Sequence, residues 1–96
     1  MRILVTYDVA TTTPEGRRRL RRVAQVCLDY GQRVQNSVFE CEVDGTQLER
    51  LRFRLLDEVH LDEDSIRLYR LGRGWRERVE HHGAKMPVEL TGPLVL

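Results

Sequence analysis

Asp8 ends the run Ile3-Leu4-Val5-Thr6-Tyr7, which is almost continuously apolar and rich in β-formers. A carboxylate at the end of a strand, beside a loop, sits where ligands commonly meet a sheet. Its oxygens suit a hard divalent cation; Mg2+ is often held by one or two carboxylates plus substrate phosphate, with several waters kept. A single Asp8 makes a poor site, since the ion needs further oxygen ligands such as those of phosphate. An ion held there lowers the pKa of a water and stabilises charge on a phosphate undergoing attack. The competing reading makes Asp8 a capping residue whose side chain closes the following turn.

Arginines supply the second set of chemical groups. Arg17-Arg18-Arg19-Leu20-Arg21-Arg22 concentrates positive charge, with only Glu15 and Asp29 as acids nearby in sequence. Such a run is often a solvated helix face, but repulsion among close guanidinium groups calls for an offset. Phosphate contact supplies one, so Arg17, Arg18, Arg21 and Arg22 are candidates for nucleic-acid binding. The chain's own acidic segment, or an acidic partner, competes for the same arginines. Arg33, Gln35, Ser37 and Phe39 alternate, and share a face if no bulge intervenes. Arg33 would then clamp phosphate and Ser37 donate to a phosphate oxygen, while Phe39 and Tyr7 serve core or dimer packing. Adjacent His81 and His82 point to opposite sides of an extended chain and make no metal pair. Cys27 and Cys41 read as buried free thiols. Trp75 reads as an anchor for the tail, and Asp57-Glu58 with Asp62-Glu63-Asp64 as a solvated connection or partner surface. No general base stands out.

The elements that must carry these groups follow from periodicity. Arg2 to Val9 reads as an inner strand. Thr13 suits a helix N-cap with Pro14 in the first helical position. Leu20, Val23, Ala24, Cys27 and Leu28 then form an apolar stripe up to Tyr30, with Gly31 as a C-cap glycine. Arg33 to Val43 is a second β region, split by a turn or bulge at Asn36-Ser37. Thr46 to Glu49 has the form of a capping box, starting a helix to about Val59 on the stripe Leu48, Leu51, Leu55 and Val59. Ser65 to Leu71 reads as a half-buried strand. This order predicts an α+β chain with the β-α-β-β-α-β pattern of a ferredoxin-like sandwich over residues 1–72. Residues 73–96 form an extension, with one more short strand at Val79 to His81. Its residues Val88, Leu90, Leu94, Val95 and Leu96 are too apolar to be solvated.

Composition fits this plan. With 96 residues, 41% of them hydrophobic and 32% charged, the chain has the size of one domain. A domain this small often gains stability by self-association, which makes a homodimer the first expectation. The absence of a secretory pattern and of any long apolar run predicts a cytoplasmic protein with no membrane contact. The net charge of +1 hides an uneven distribution. Residues 1–40 carry seven arginines against four acids, residues 41–66 three against eight, and residues 67–96 six basic residues against three acids. That describes a basic face rather than a basic protein.

Three segments together resemble a known family. Val5-Thr6-Tyr7-Asp8-Val9 is similar to its first-strand motif, which closes on Tyr-Asp. The segment from Tyr30 to Glu40, YGQRVQNSVFE, resembles its Gly-x-Arg-x-Gln-x-Ser-x-Phe-Glu stretch, and Asp64-Ser65-Ile66-Arg67-Leu68-Tyr69 its Asp-Ser-x-x-x-Tyr. The order and spacing agree over residues 1–71, and the family is the CRISPR-associated protein two family. The resemblance implies a ferredoxin-like homodimer in which two Asp8 side chains face each other near the twofold axis. It also implies a Mg2+- or Mn2+-dependent endonuclease acting on single-stranded RNA or duplex DNA. The integrase that inserts new spacers is the implied partner, with the extension packing across the dimer. Two alternatives remain open: a non-catalytic DNA-binding scaffold bridging integrase dimers, and a toxin-type ribonuclease of the same fold.

Overall fold

The computed structural model describes residues 1–83. The chain runs β1 (Arg2–Asp8), α1 (Pro14–Tyr30), β2 (Gly31–Gln35), β3 (Val38–Glu42), α2 (Gly45–Glu58), β4 (Ser65–Arg70) and α3 (Trp75–Arg78). The sheet has the order β2-β3-β1-β4, antiparallel throughout. This is the ferredoxin-like arrangement expected from the element order. β1 lies inside the sheet, between β3 and β4, which accounts for its nearly unbroken apolar character. Ile3, Val5 and Tyr7 of β1 join Phe39 and Cys41 of β3, Val23 and Cys27 of α1, and Leu51 and Leu55 of α2 in one buried cluster. Leu4 and Thr6 alternate with them and are only half-buried.

α1 begins as its sequence dictates. Thr13 Oγ1 accepts from the Gly16 N–H at 3.1 Å, and Pro14 opens the helix. The buried side of α1 differs from the predicted stripe: Val26 is buried and Leu28 is 46% exposed. α1 packs against α2 as well as against β2 and β3, so its covered arc turns toward Val26. Gly31 does cap α1, but in extended rather than left-handed geometry. Glycine is needed there because a Cβ would fall on the Glu40 carbonyl oxygen and on Cys41. β2 accordingly starts at Gly31, two residues earlier than predicted.

The predicted Thr46–Glu49 capping box is not the one that forms. Asp44 Oδ1 accepts from Gln47 N–H at 2.7 Å, and Gln47 Oε1 accepts from Asp44 N–H at 2.9 Å, so α2 starts at Gly45. The stripe of Leu48, Leu51 and Leu55 is buried and Val59 packs against the core. After β4 the chain turns at Gly72-Arg73-Gly74 into α3, a single turn that the sequence reading did not predict. Trp75 does anchor this segment, with the Arg2 guanidinium 3.8 Å above its ring. Val79 to His81, predicted as a short strand, pair with no strand among the described residues. The apolar residues from Val88 to Leu96 lie outside the described residues. Cys27 and Cys41 are buried and unpaired. Burial pushes the Cys27 thiol up to about 12 and the Cys41 thiol to about 11, leaving neither reactive at neutral pH.

Candidate nucleic-acid interface

Asp8 ends β1 opposite Ser65 of β4, with its side chain exposed. Among the described residues it makes no ion pair or side-chain hydrogen bond. The loop-capping role that competed for Asp8 belongs to another residue. Asp64 has a side chain that is 0% exposed. One of its oxygens, Oδ1, accepts from the Ala10 N–H at 3.0 Å; the other, Oδ2, accepts from the His60 N–H and from Arg19 Nε, both at 2.9 Å. Burial alone would raise its pKa, but Arg19 and the two backbone N–H groups outweigh that and hold it at about 2. Asp64 is therefore no part of a solvated acidic loop, as the sequence suggested. It ties the β1–α1 loop to the segment before β4 and leaves the Asp8 carboxylate free for another partner.

Two grooves meet at Asp8. The larger, about 500 Å³, lies between α1 and the β2–β3 turn; its walls include Val9, Leu20, Arg21, Arg33, Asn36 and Ser37. The smaller, about 240 Å³, runs along the sheet past Ser37, Ser65 and Arg67. The backbone itself holds the β2–β3 turn against β1, through Tyr7 N–H to the Ser37 carbonyl at 3.2 Å. Tyr7 packs beneath, its ring stacked on Phe39 with centroids 6.0 Å apart. Burial raises the Tyr7 hydroxyl pKa against the opposing hydrogen bond from Arg33, so Tyr7 stays protonated at neutral pH. Phe39 is a core residue with no exposed surface.

The arginine run divides by role. Arg19 is consumed by Asp64 and Glu63. Arg22 pairs with Glu58 at 2.9 Å, Arg18 with Glu15 at 3.4 Å, and Arg17 donates to the Thr11 carbonyl at 3.2 Å. Exposed pairs of this kind exchange readily for phosphate because each is worth little. Of the run, only Arg21 lines the groove together with Asp8. The predicted alternation of Arg33, Gln35, Ser37 and Phe39 is broken by a register shift between Arg33 and Gln35. Arg33 and Ser37 still reach the same groove, and Arg33 lies 5.1 Å over the Phe39 ring. Asn36, Ser65 and Arg67 also flank Asp8 and were not among the predicted site residues. The signal for Ser65 was its place in the Asp-Ser-x-x-x-Tyr stretch, and it pairs with Asp8 at the end of β1, whereas Arg67 falls at a variable position of that stretch and had no such signal.

The donor set fits a divalent ion only in part. Among the described residues no group of three or more His, Cys, Asp or Glu gathers at one point. Asp8 offers one free carboxylate, and a complete site needs a second copy or phosphate oxygens. His82 is paired with Glu80, and His81 contacts the Gly83 carbonyl, so neither joins the site. No helix among the described residues is long and apolar enough to cross a membrane.

Known proteins resemble this arrangement in sequence and in fold. The family model for CRISPR associated protein Cas2 matches residues 1–79. A protein of Chlorobaculum tepidum named CRISPR-associated endoribonuclease Cas2 is 59% identical over 96 residues, covering 100% of both chains. One of Halalkalibacterium halodurans, named CRISPR-associated endonuclease Cas2, is 52% identical over 99% of each chain. The crystal structure of Streptococcus pyogenes Cas2 at pH 6.5 superposes with a TM-score of 0.79 at 55% identity, covering 86% of this chain and 100% of that one. With the family model spanning most of the described residues and full-length relatives above 50% identity, the chain belongs to the CRISPR associated protein Cas2 family.

Proposed function

We propose that this protein is a CRISPR-associated endonuclease, a phosphodiesterase that works as a homodimer with Asp8 of each chain at its centre. The observation that carries this reading is the free Asp8 carboxylate, relieved of loop capping by Asp64 and framed by Arg21, Arg33 and Arg67. Relatives named endoribonuclease and endonuclease support the same reaction class. Paired Asp8 side chains would hold Mg2+ or Mn2+ together with phosphate oxygens. When bound, the ion supplies Lewis-acid polarisation of the phosphate and a water of lowered pKa.

The chain's own residues do the rest. Arg21 and Arg33 draw the sugar-phosphate strand into the groove and neutralise charge as the phosphorus is attacked. Ser37 donates to a phosphate oxygen. Arg17, Arg18 and Arg22 extend the basic track along α1 without touching the reacting group. Single-stranded RNA and duplex DNA are the candidate substrates, and the spacer integrase is the candidate partner. The extension from residue 73 would pack across the dimer.

The deciding experiment compares cleavage of labelled RNA and DNA by the parent and Asp8→Asn proteins, with Mg2+ and with chelator. We expect metal-dependent cutting that falls in Asp8→Asn to the level seen in chelator. A parent protein that binds DNA without cutting in any metal would favour the second reading, a scaffold that bridges integrase dimers. That no group of three or more His, Cys, Asp or Glu gathers among the described residues favours that alternative.

A further inference from the structure

The larger groove has a feature that phosphate binding does not require. A phosphate track needs only exposed cations, as on the outer side of α1. This groove instead has an apolar floor formed by Val9, Leu20 and Ala24, and two of these residues are buried. Arg21, Arg33, Asn36 and Asp8 line it as well. Its volume of about 500 Å³ falls within the roughly 300–1,000 Å³ typical of small-ligand clefts, which are mostly apolar with a few convergent polar groups.

We propose that this groove seats one unpaired nucleobase of a single-stranded nucleic acid, next to the phosphate that Asp8 addresses. A base has two apolar faces and a polar edge. The faces match the floor of Leu20, Val9 and Ala24 and the flat guanidinium of Arg21, on which bases stack. The edge meets the amide of Asn36, which carries both a donor and an acceptor. The adjoining phosphates fall to Arg21 and Arg33. A duplex offers no such base without unpairing and unstacking it, so the groove selects single strands. The inference rests on the nuclease reading for the neighbouring phosphate, but its binding test does not depend on cleavage.

The test measures binding in chelator, so that no strand is cut. Fluorescence anisotropy would compare a labelled 12-nucleotide single strand, a strand of equal length and charge built from abasic residues, and the duplex. The base-bearing strand should bind about tenfold more tightly than the abasic one, in line with stacking of a base on a protein surface. Ala24→Leu, which fills the groove from its floor with an aliphatic side chain that offers no stacking face, should remove that difference and leave abasic binding unchanged. Should Ala24→Leu fail to give the parent circular dichroism spectrum, Asn36→Ala serves, and should narrow the same gap. Equal binding of base-bearing and abasic strands would overturn the proposal, as would a duplex that binds tighter than the single strand. Either outcome leaves the Asp8→Asn cleavage result standing, and a base preference without cleavage would sink the nuclease reading alone.

Discussion

Asp64 shows how a buried carboxylate shapes a site it does not enter. Its two oxygens take up the Ala10 and His60 N–H groups and the Arg19 guanidinium. Removing it strands all three, so Asp64→Ala should lower unfolding stability by about 3 kcal/mol, readable by urea titration. Its pKa is depressed from the ordinary carboxylate range to about 2. The stabilisation is therefore present above about pH 4 and is lost as pH falls toward 2. Asp64→Asn should flatten that part of the acid-unfolding curve. The sequence offered the acidic segment as a competitor for the arginines but not which pair forms, because Ala10 and Arg19 lie 54 and 45 residues away from Asp64. By contrast, the separation of Tyr7 from Asp8 followed directly from strand alternation, which sends one to the core and the other to the surface.

At the scale of elements, the position of α1 is set where its first turn crosses the β1–α1 loop. A Cβ on Gly16 would fall on the Ala10 carbonyl oxygen. Gly16→Ala should accordingly cost about 1–3 kcal/mol as loop and helix are pushed apart. Because Asp8 lies two residues before Ala10, that variant should also lose cleavage beyond what its remaining folded fraction explains, an outcome measurable by comparing activity with circular dichroism. Elements with strong local signals were legible: the Thr13-Pro14 start of α1, the inner strand β1, and the turn at Asn36-Ser37. The start of α2 was not, since Asp44–Gln47 and Thr46–Glu49 are both capping boxes by residue type. Tertiary placement decided for the first. The register shift between Arg33 and Gln35 was not foreseen, since the break was expected only at Asn36-Ser37, and its effect of gathering Arg33 and Ser37 while leaving Gln35 out of the groove depends on the partner strand.

For the molecule as a whole, the uneven charge distribution becomes a division of labour among arginines. Arg19, bound to Asp64 and Glu63, holds elements together, while arginines facing the grooves and those in weak exposed pairs remain available to phosphate. Nucleic-acid affinity should therefore fall steeply with salt. Arg21→Ala should reduce the slope of log K against log salt by about 0.9 for duplex DNA and about 0.7 for a single strand. Arg19→Ala should instead lower stability and leave the slope nearly unchanged for the fraction that stays folded. Salt titrations of the parent and the two variants separate these outcomes.

On the proposed reading, a site that takes one carboxylate from each of two chains obeys a simple rule of mixing. If parent and Asp8→Asn proteins exchange subunits freely at equal amounts, only about one dimer in four contains two intact chains. Activity should then drop to about a quarter of the undiluted value, against the half expected were each chain sufficient alone. Such a protein is vulnerable to interference in a way that self-sufficient enzymes are not: a single defective copy of the gene product disables the working copies it meets.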